Sequence, residues 1–322
     1  MGAEHDHSHG HSHGHSHGHS GGHHHGHGHH HAVSHGPAFA IAITLNLVFV
    51  VAEVIAGLAS QSMALLADAG HNMSDVLSLV LAWMASRLAN RPPSERFTYG
   101  LKSASILAAL ANATLLWAAL GAILFETIRR FSDPAPVAGQ TMIVVATIGI
   151  VINALSAVLF AGGRKHDLNL RAAFQHLMAD AAVSAGVVVA GLLVILTGKA
   201  WIDPVTSLII TAVIGAGSWA LLRDSVKLGL LGVPDGIDVA AVRTFLSGQP
   251  GVSAVHDLHV WPMSTTETAL TAHLVMPGGH PGDAFLAHLA HELADDFGIH
   301  HATVQVEISA GNGCALEADS VV

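Results

Sequence analysis

Residues 67–79 read ADAGHNMSDVLSL, and they place His71 and Asp75 four positions apart inside an apolar segment long enough to cross a membrane. Side chains at i and i+4 lie on one face of a helix, so the imidazole and the carboxylate point the same way. The pattern returns in FQHLMADAAVS, where His176 and Asp180 are again four apart. Ionisable side chains inside a membrane span are costly and indicate a functional site with a partner. We therefore expect each pair to be the partner of the other.

The composition is typical of an integral membrane protein. Hydrophobic residues make up 51% of the 322 residues and charged residues 11%, whereas soluble proteins carry roughly 25% charged residues. A spanning helix needs roughly 20 apolar residues. No signal peptide is expected, because a polar tract precedes Pro37. Six segments qualify as spans, with estimated bounds 38–58, 64–88, 104–127, 141–162, 172–196 and 204–222.

Several classes of protein are disfavoured by residue content. Cys314 is the only cysteine, which excludes an intramolecular disulfide and a cysteine-based zinc site. A formal charge of −10 without a basic patch argues against a nucleic-acid partner. A zinc metalloenzyme would need an open coordination position and a general base, and the chain has no H-E-x-x-H helix. We therefore do not expect an enzyme.

The N-terminal tract, residues 1–36, is predicted to be a disordered cytoplasmic tail. Residues 4–35 contain 16 of the 27 histidines, mostly alternating with glycine or serine, and this composition cannot form a packed core. Imidazole is a common metal ligand, so the tail is expected to collect metal ions. A spacer without function and an engineered tag are the alternatives.

The distribution of Lys and Arg predicts the orientation of the spans, because cytoplasmic loops carry more of both. One side receives only Arg129, Arg130 and Lys199. Both termini are therefore predicted to be cytoplasmic, and spans 2 and 5 to be antiparallel. The repeated H-x-M-x-D also suggests two inverted halves of three spans, with chance similarity as the alternative. The other ten lie on the cytoplasmic side: Arg87, Arg91, Arg96, Lys102, Arg164, Lys165, Arg171, Arg223, Lys227 and Arg243.

From residue 233 the composition resembles that of a soluble domain. A short helix, the strands VSAVHDLHVW and TETALTAHLVM, an amphipathic helix over 283–297 and the strand ATVQVEIS follow one another. The order αββαβ predicts an α+β domain over 233–310 with two helices on one face of a sheet. A flexible tail, 311–322, follows. A domain this small is marginally stable alone, so a homodimer is expected.

Two histidines and two aspartates that meet in a membrane suit a tetrahedral divalent ion. A 2+ ion balances two carboxylates, whereas the empty site would hold unpaired buried carboxylates that attract protons. Metal and protons should therefore compete, which is the coupling that an antiporter needs. Nitrogen ligands disfavour Mg²⁺ and Ca²⁺ and favour Zn²⁺ over Mn²⁺, with Co²⁺, Ni²⁺ and Cd²⁺ left open. Hydrogen-bonded pairs without metal are the alternative.

Three further polar residues lie in the predicted spans. Asp68 shares the face of His71 and is expected to shape the outer vestibule or orient a ligand, with helix capping or pairing as the alternative. Asn46 and Glu53 are seven apart on one face of span 1, where they line the same cavity or hold helices together.

These motifs resemble those of zinc transporters of the cation diffusion facilitator family. The resemblance rests on LLADAGHNMSD, HLMAD, the RFTYG segment after span 2, the His-rich leader and VHDLHVW, and it covers residues 38 to about 310. It implies a homodimeric, proton-coupled exporter of cytoplasmic zinc in the inner membrane, with six helices and a ferredoxin-like, metallochaperone-like cytoplasmic domain. It also implies that the transported Zn²⁺ binds His71, Asp75, His176 and Asp180.

The cytoplasmic domain of the family also binds zinc, at histidines and acidic residues near strand ends. By motif position, the best matches are His256, His273, His300 and Glu307. No metal site is expected in the loop from Asn90 to Lys102, which has no histidine, unlike that of some relatives. Other candidates, each otherwise a solvent-exposed histidine, are His259, His280, His288, His291 and His301.

The predicted function is export of Zn²⁺, with Cd²⁺ and Co²⁺ as further candidates, by alternating access in exchange for protons. Two other classes of protein would use similar residues. A metal channel would need weak or multiple sites so that the ion can leave. A membrane-bound metal sensor would depend on the cytoplasmic histidines and would keep its function when the intramembrane site is changed.

Overall fold

The computed structural model describes residues 37–133, 135–161 and 168–308. The predicted tails, 1–36 and 311–322, and the cations at 164–165 lie outside these residues. Six long helices come first, and each covers its predicted segment to within one residue. They are α1 (Pro37–Ser60), α2 (Met63–Ala89), α3 (Ala104–Ser132), α4 (Gly139–Ala161), α5 (Leu168–Thr197) and α6 (Ile202–Gly229).

The surface of these helices is suited to lipid. Among the described residues, four helices are long and apolar enough to cross a membrane, and they belong to α3, α4, α5 and α6. The part of α1 from Thr44 to Ser60 is a shorter apolar helix. α2 is a continuous helix whose apolar sequence is interrupted by the polar residues of its motif. Large apolar side chains such as Leu107, Phe125 and Leu155 are exposed, which favours contact with lipid rather than with water.

α4 and α5 approach each other closely at two glycines. A Cβ atom added at Gly139 would lie 2.7 Å from the carbonyl oxygen of Gly191, and one added at Gly191 would lie 2.9 Å from that of Gly139. Small residues permit such close helix contacts in membranes. Leu65, Met142 and Val187 are fully buried in the core beside this contact. This packing holds α5, which carries the second motif, against α4.

Polar contacts join the short loops at one end of the helical domain. Asp203, at the start of α6, accepts hydrogen bonds from Ser62 Oγ (2.5 Å), Met63 N (2.7 Å) and Ala64 N (3.2 Å). The first N–H groups of a helix have no partner within it, so this carboxylate caps α2 from another helix. Arg130 donates to the carbonyl group of the turn between α1 and α2.

The opposite end of the helical domain contacts the C-terminal domain. Lys102, in the loop between α2 and α3, forms a salt bridge with Glu267. Ser103 Oγ donates a hydrogen bond of 3.2 Å to the carbonyl oxygen of Met263. The loop between α2 and α3 therefore lies on the same side as the C-terminal domain, which agrees with the grouping of cations predicted from the sequence.

The C-terminal domain has the predicted order of elements, αββαβ. They are α7 (Val239–Ser247), β1 (Ala254–Pro262), β2 (Thr268–Val275), α8 (Asp283–Phe297) and β3 (His301–Glu307). The strands form a sheet in the order β1-β2-β3, in which β1 is antiparallel to β2 and β2 is parallel to β3. Parallel strands need a crossover connection, and α8 supplies it.

The core of this domain lies between the sheet and the two helices. Leu246 of α7, Leu270 and Leu274 of β2, and Leu289 and Leu293 of α8 are all at most 1% exposed. α7 begins after an aspartate, at position 238, whose carboxylate accepts a hydrogen bond from a backbone N–H of the first turn. Such a cap stabilises a helix by about 1 kcal/mol.

Candidate metal centre

The structure brings the two motif pairs together between α2 and α5. His71 Nε2 lies 3.1 Å from Asp180 Oδ1, and His176 Nε2 lies 3.2 Å from Asp75 Oδ2. The distances within each motif are longer, at 3.7 Å and 3.6 Å. Each histidine thus pairs with the aspartate of the other motif, because antiparallel helices reverse the order of the two residues. All four predicted residues form one cluster.

The spacing of the donor atoms fits a tetrahedral ion of the size of zinc. One donor atom from each of the four residues lies within 4.8 Å of the others. The four shortest N···O distances between the histidines and aspartates range from 3.1 Å to 3.7 Å, with Asp180 contributing Oδ1 toward His71 and Oδ2 toward His176. A tetrahedron with metal–ligand bonds of about 2.1 Å has edges of about 3.4 Å. Small side-chain shifts would therefore suffice to bind such an ion.

The cluster is more open on one side than on the other. The side chains of Asp75 and His176 are both 35% exposed, whereas those of His71 and Asp180 are 18% and 6% exposed. Asp75 lies one turn closer than His71 to the end of α2 that leads into the loop contacting the C-terminal domain, and His176 lies one turn closer than Asp180 to the start of α5. The more accessible half of the cluster therefore faces the end of the helical domain that carries the C-terminal domain.

Two buried acidic residues lie beside the cluster without joining its donor set. Asp68 Oδ2 accepts a hydrogen bond of 2.8 Å from Ser184 Oγ, and Glu53 Oε2 accepts one of 3.0 Å from Asn72 Nδ2. Both acids are 0% exposed. Asp68 therefore connects α2 to α5, one turn from the cluster on each helix.

A second cluster lies on the sheet of the C-terminal domain. His256 and His273 are opposite each other on β1 and β2, with ring centroids 5.1 Å apart. Glu307, at the end of β3, lies 3.0 Å from His273 Nδ1 and 3.4 Å from His256 Nε2. Their donor atoms lie within 4.8 Å of one another, and both histidines are buried. Three of the four residues predicted for this domain thus meet.

His300, the fourth predicted residue, is not in this cluster. It precedes β3 and is exposed, whereas Glu307 is at the other end of the same strand. A strand rises by about 3.3 Å per residue, so His300 and Glu307 are about 23 Å apart along β3 and cannot both bind one ion. The parallel pairing of β2 and β3 sets Glu307 beside Val275, near His273, and sets the start of β3 beside Ala269.

Asp257, which was not predicted from the sequence, lies next to this cluster. Its Oδ2 is 3.4 Å from His273 Nε2, and its Oδ1 is 2.7 Å from His259 Nε2. Asp257 has a φ of +49° and lies where the pairing of β1 with β2 is irregular. Such a bulge redirects side chains. The motif VHDLH, which places a carboxylate between two histidines, could have indicated Asp257 as a candidate.

The remaining histidine candidates of the C-terminal domain lie elsewhere. His288 pairs with Glu292 at 3.2 Å and His291 with Asp295 at 3.3 Å, both one turn apart on α8, and both histidines are largely exposed. His301 stacks edge-on against the Tyr99 ring, with centroids 5.5 Å apart. Among the described residues, none of these histidines belongs to a group of three metal-binding side chains.

Comparison with known proteins identifies the family. A family model described as the cation efflux transmembrane domain matches residues 39–228, and one described as the cytoplasmic domain of a cation efflux protein matches residues 234–309. The chain belongs to the cation efflux family. The resemblance to zinc transporters of the cation diffusion facilitator type is confirmed.

Curated relatives in the cation efflux family cover most of the chain. The metal cation efflux system protein CzcD of Cupriavidus metallidurans is 35% identical over 84% of this chain and 85% of its own length. The zinc transporter ZitB of Escherichia coli is 37% identical over 82% of this chain and 85% of its own length. The cadmium, cobalt and zinc/H(+)-K(+) antiporter of Bacillus subtilis is 35% identical over 82% and 86%.

A solved structure of the metal-bound C-terminal domain of the CzcD transporter is 38% identical to the part of the chain that it matches. The match covers 22% of this chain and 99% of that domain, with a TM-score of 0.21. Membership of the cation efflux family makes this protein a membrane transporter of metal cations and not an enzyme.

Proposed function

We propose that the protein exports Zn²⁺ from the cytoplasm in exchange for protons, through the cluster of His71, Asp75, His176 and Asp180. The observation that carries the proposal is the spacing of the donor atoms, whose N···O distances of 3.1 Å to 3.7 Å bracket the edge of a zinc tetrahedron. Two separate hydrogen-bonded pairs would require only the two short distances between the motifs, 3.1 Å and 3.2 Å. The distances within each motif, 3.7 Å and 3.6 Å, are also short enough for all four residues to share one ion.

Charge balance explains how protons would be coupled to zinc. With Zn²⁺ bound, two carboxylates and two neutral imidazoles sum to zero, so the loaded cluster carries no net charge into a low-dielectric interior. Without zinc, the two carboxylates lack a balancing cation, and protons on the cluster would restore the balance. Protons and zinc therefore occupy the same donor atoms in turn, and the release of one requires the arrival of the other.

The exposure of the cluster supports entry of zinc from the cytoplasmic side. Asp75 and His176 are the accessible members, and they face the end of the helical domain that carries the C-terminal domain. An alternating-access rearrangement would then close this side and open the side of His71 and Asp180. A channel is less consistent with the cluster, because one tight four-ligand site retains its ion.

The choice of metal rests on ligand chemistry and on the relatives. Two nitrogen and two oxygen donors favour zinc over Mn²⁺ and over the hard ions Mg²⁺ and Ca²⁺. The names of relatives mention zinc, or cadmium and cobalt as well. We therefore include Cd²⁺ and Co²⁺ as secondary substrates, and protons as the counter-substrate.

In the proposed arrangement, all six helices over 37–228 span the inner membrane and both termini are cytoplasmic. The count of cations on the two sides supports this orientation. The ferredoxin-like domain over 233–310 would form a homodimer in the cytoplasm, since its core is small. The tail over 1–36 would collect zinc for the transporter, and its deletion should slow zinc uptake only when zinc is limiting.

The cluster of His256, His273 and Glu307 is proposed as a regulatory zinc site. Two buried histidines and one carboxylate supply three ligands, as in zinc sites that keep a fourth position for another ligand. Because all three strands contribute one residue each, an ion here would tie the sheet together. This cluster also supports the alternative of a membrane-bound sensor, in which the intramembrane cluster is dispensable.

Zinc flux into inside-out proteoliposomes with an imposed pH gradient tests the proposal. We expect gradient-dependent uptake by the wild type and its loss in Asp75→Ala and in Asp180→Ala. Asp235→Asn, which changes an exposed carboxylate outside the helices, is the control and should retain uptake. Uptake that persists in both cluster variants would refute the site, and uptake that ignores the gradient would refute the coupling.

A further inference from the structure

Glu53 of α1 and Asp68 of α2 have an incomplete set of hydrogen-bond donors. Each is 0% exposed, and each has one oxygen that accepts a hydrogen bond from a neutral side chain, Asn72 or Ser184. The other two oxygens, Glu53 Oε1 and Asp68 Oδ1, are buried and have no donor among the described residues. Asn72, the donor to Glu53, lies one turn after Asp68 on the same face of α2, so the two carboxyl groups are neighbours.

Two neighbouring carboxyl groups can form a hydrogen bond with each other only when a proton lies between them. Ionised carboxylates are acceptors without a hydrogen to donate. Two adjacent carboxylates in a buried site repel each other and lose their hydration, so one of them takes up a proton. A single proton would serve both oxygens that have no donor. It would also remove one of two adjacent negative charges.

We propose that Glu53 and Asp68 form a proton-binding site, separate from the metal cluster, that holds one proton between Glu53 Oε1 and Asp68 Oδ1. The proposal deepens the proposed function, on which its role rests, by adding a proton that stays in place while zinc occupies the cluster. The pair then contributes one negative charge beside the cluster instead of two. It also ties α1 to the helix that carries the first motif.

The neighbours of the pair favour a proton over a metal cation. Asn72 Nδ2 and Ser184 Oγ both donate, so their hydrogens point at the carboxylates. These donors occupy Glu53 Oε2 and Asp68 Oδ2, so only the other two oxygens would remain for a cation, fewer than the four or more ligands that a metal ion takes. His71 and Asp180 are the ionisable groups of the cluster whose charges act on Asp68. They lie on α2 and α5, one turn away along each helix.

The contrast with Asp203 shows what a fully satisfied buried carboxylate looks like in this protein. Asp203 is also 0% exposed, but its two oxygens accept three hydrogen bonds from Ser62, Met63 and Ala64. Both oxygens of Asp203 therefore have donors, and none is left for a proton to serve. Asp203 provides a matched reference, a carboxyl group of equal burial with a complete set of donors.

Infrared difference spectroscopy of the full-length, zinc-loaded protein tests the proposal at neutral pH. A protonated carboxyl group has a C=O stretching band that an ionised carboxylate lacks, and this band shifts in heavy water. We expect one such band in the wild type and its loss in Glu53→Gln and in Asp68→Asn. Each variant replaces one acid by an amide that still donates across the pair. Asp203→Asn should retain the band.

The outcomes separate this proposal from the proposed function. A wild type without the band, or a band that survives in both Glu53→Gln and Asp68→Asn, would overturn the proton site. Loss of the wild-type band on addition of Na⁺ or K⁺ would also overturn it, because the pair would then bind a cation. If the band is found but the wild type fails to take up zinc in proteoliposomes, the transport proposal fails and the proton site stands.

Discussion

Removing the charge of Asp180 should weaken zinc binding more than removing the charge of Asp75. Asparagine has nearly the size and shape of aspartate, so Asp180→Asn changes the charge of the cluster and little else. With zinc bound, the sum of charges rises from zero to +1. The Asp180 side chain is only 6% exposed, so water cannot screen the uncompensated charge.

The size of the effect follows from this burial. Leaving one buried charge without its partner costs about 3 to 5 kcal/mol. Each 1.4 kcal/mol corresponds to a tenfold change in affinity, so Asp180→Asn should weaken zinc binding by roughly a hundredfold to a few thousandfold. Asp75 is 35% exposed, and water can partly solvate the charge that remains in Asp75→Asn. The loss in Asp75→Asn should therefore be smaller.

Competition with a chromogenic zinc chelator on purified protein measures these affinities. Residues 4–35 are deleted and His273 is changed to alanine in every sample, so that neither the tail nor the second cluster contributes. Thermal unfolding of the metal-free proteins checks that both variants are folded. An unchanged affinity in Asp180→Asn, or an equal or larger loss in Asp75→Asn, would contradict the four-ligand site as described.

Three further outcomes are expected. His273→Ala should remove a bound zinc ion from the cytoplasmic domain, as measured by metal analysis, whereas His300→Ala should not; equal losses would contradict the strand register. Gly191→Ala should lower the free energy of unfolding by about 1 to 3 kcal/mol, because the added Cβ would meet the backbone of α4. Gly186→Ala is the control and should not lower it, because the space around its Cβ is open. Thermal unfolding compares the two variants. A hydrogen bond from the lysine near the end of α6 lowers the pKa of Asp235 below its ordinary value of 3.8. The pair therefore stabilises the fold above pH 3.8, and this contribution disappears as the pH falls through the lowered pKa. A titration midpoint of Asp235 at or above 3.8, measured by NMR, would contradict this.

Local patterns were sufficient for the elements of the fold. Apolar segments of about 20 residues predict helices wherever they occur, because a helix satisfies its own backbone hydrogen bonds. The alternation of apolar and polar residues likewise predicted the strands and the order αββαβ. Four of the six helices meet the criteria of length and composition for crossing a membrane within the part of the chain that the structure describes.

The sequence also determined the four members of the intramembrane cluster, because H-x-x-x-D places both side chains on one helix face and the motif occurs twice. It could not show the pairing, in which His71 faces Asp180 and His176 faces Asp75. That pairing depends on the relative direction and height of two helices about a hundred residues apart. The unequal burial of the four side chains is likewise a property of the packed helices.

Contacts between distant elements were decided only by the tertiary structure. Strand direction and register place Glu307 beside the His256–His273 pair and remove His300 from it. The irregular pairing at Asp257, and the approach of Glu53 on α1 to its partner acid on α2, were equally invisible in the sequence. Periodicity in the sequence predicts which face of an element a residue occupies. A site forms only where the faces of several elements meet, and that depends on packing over the whole chain.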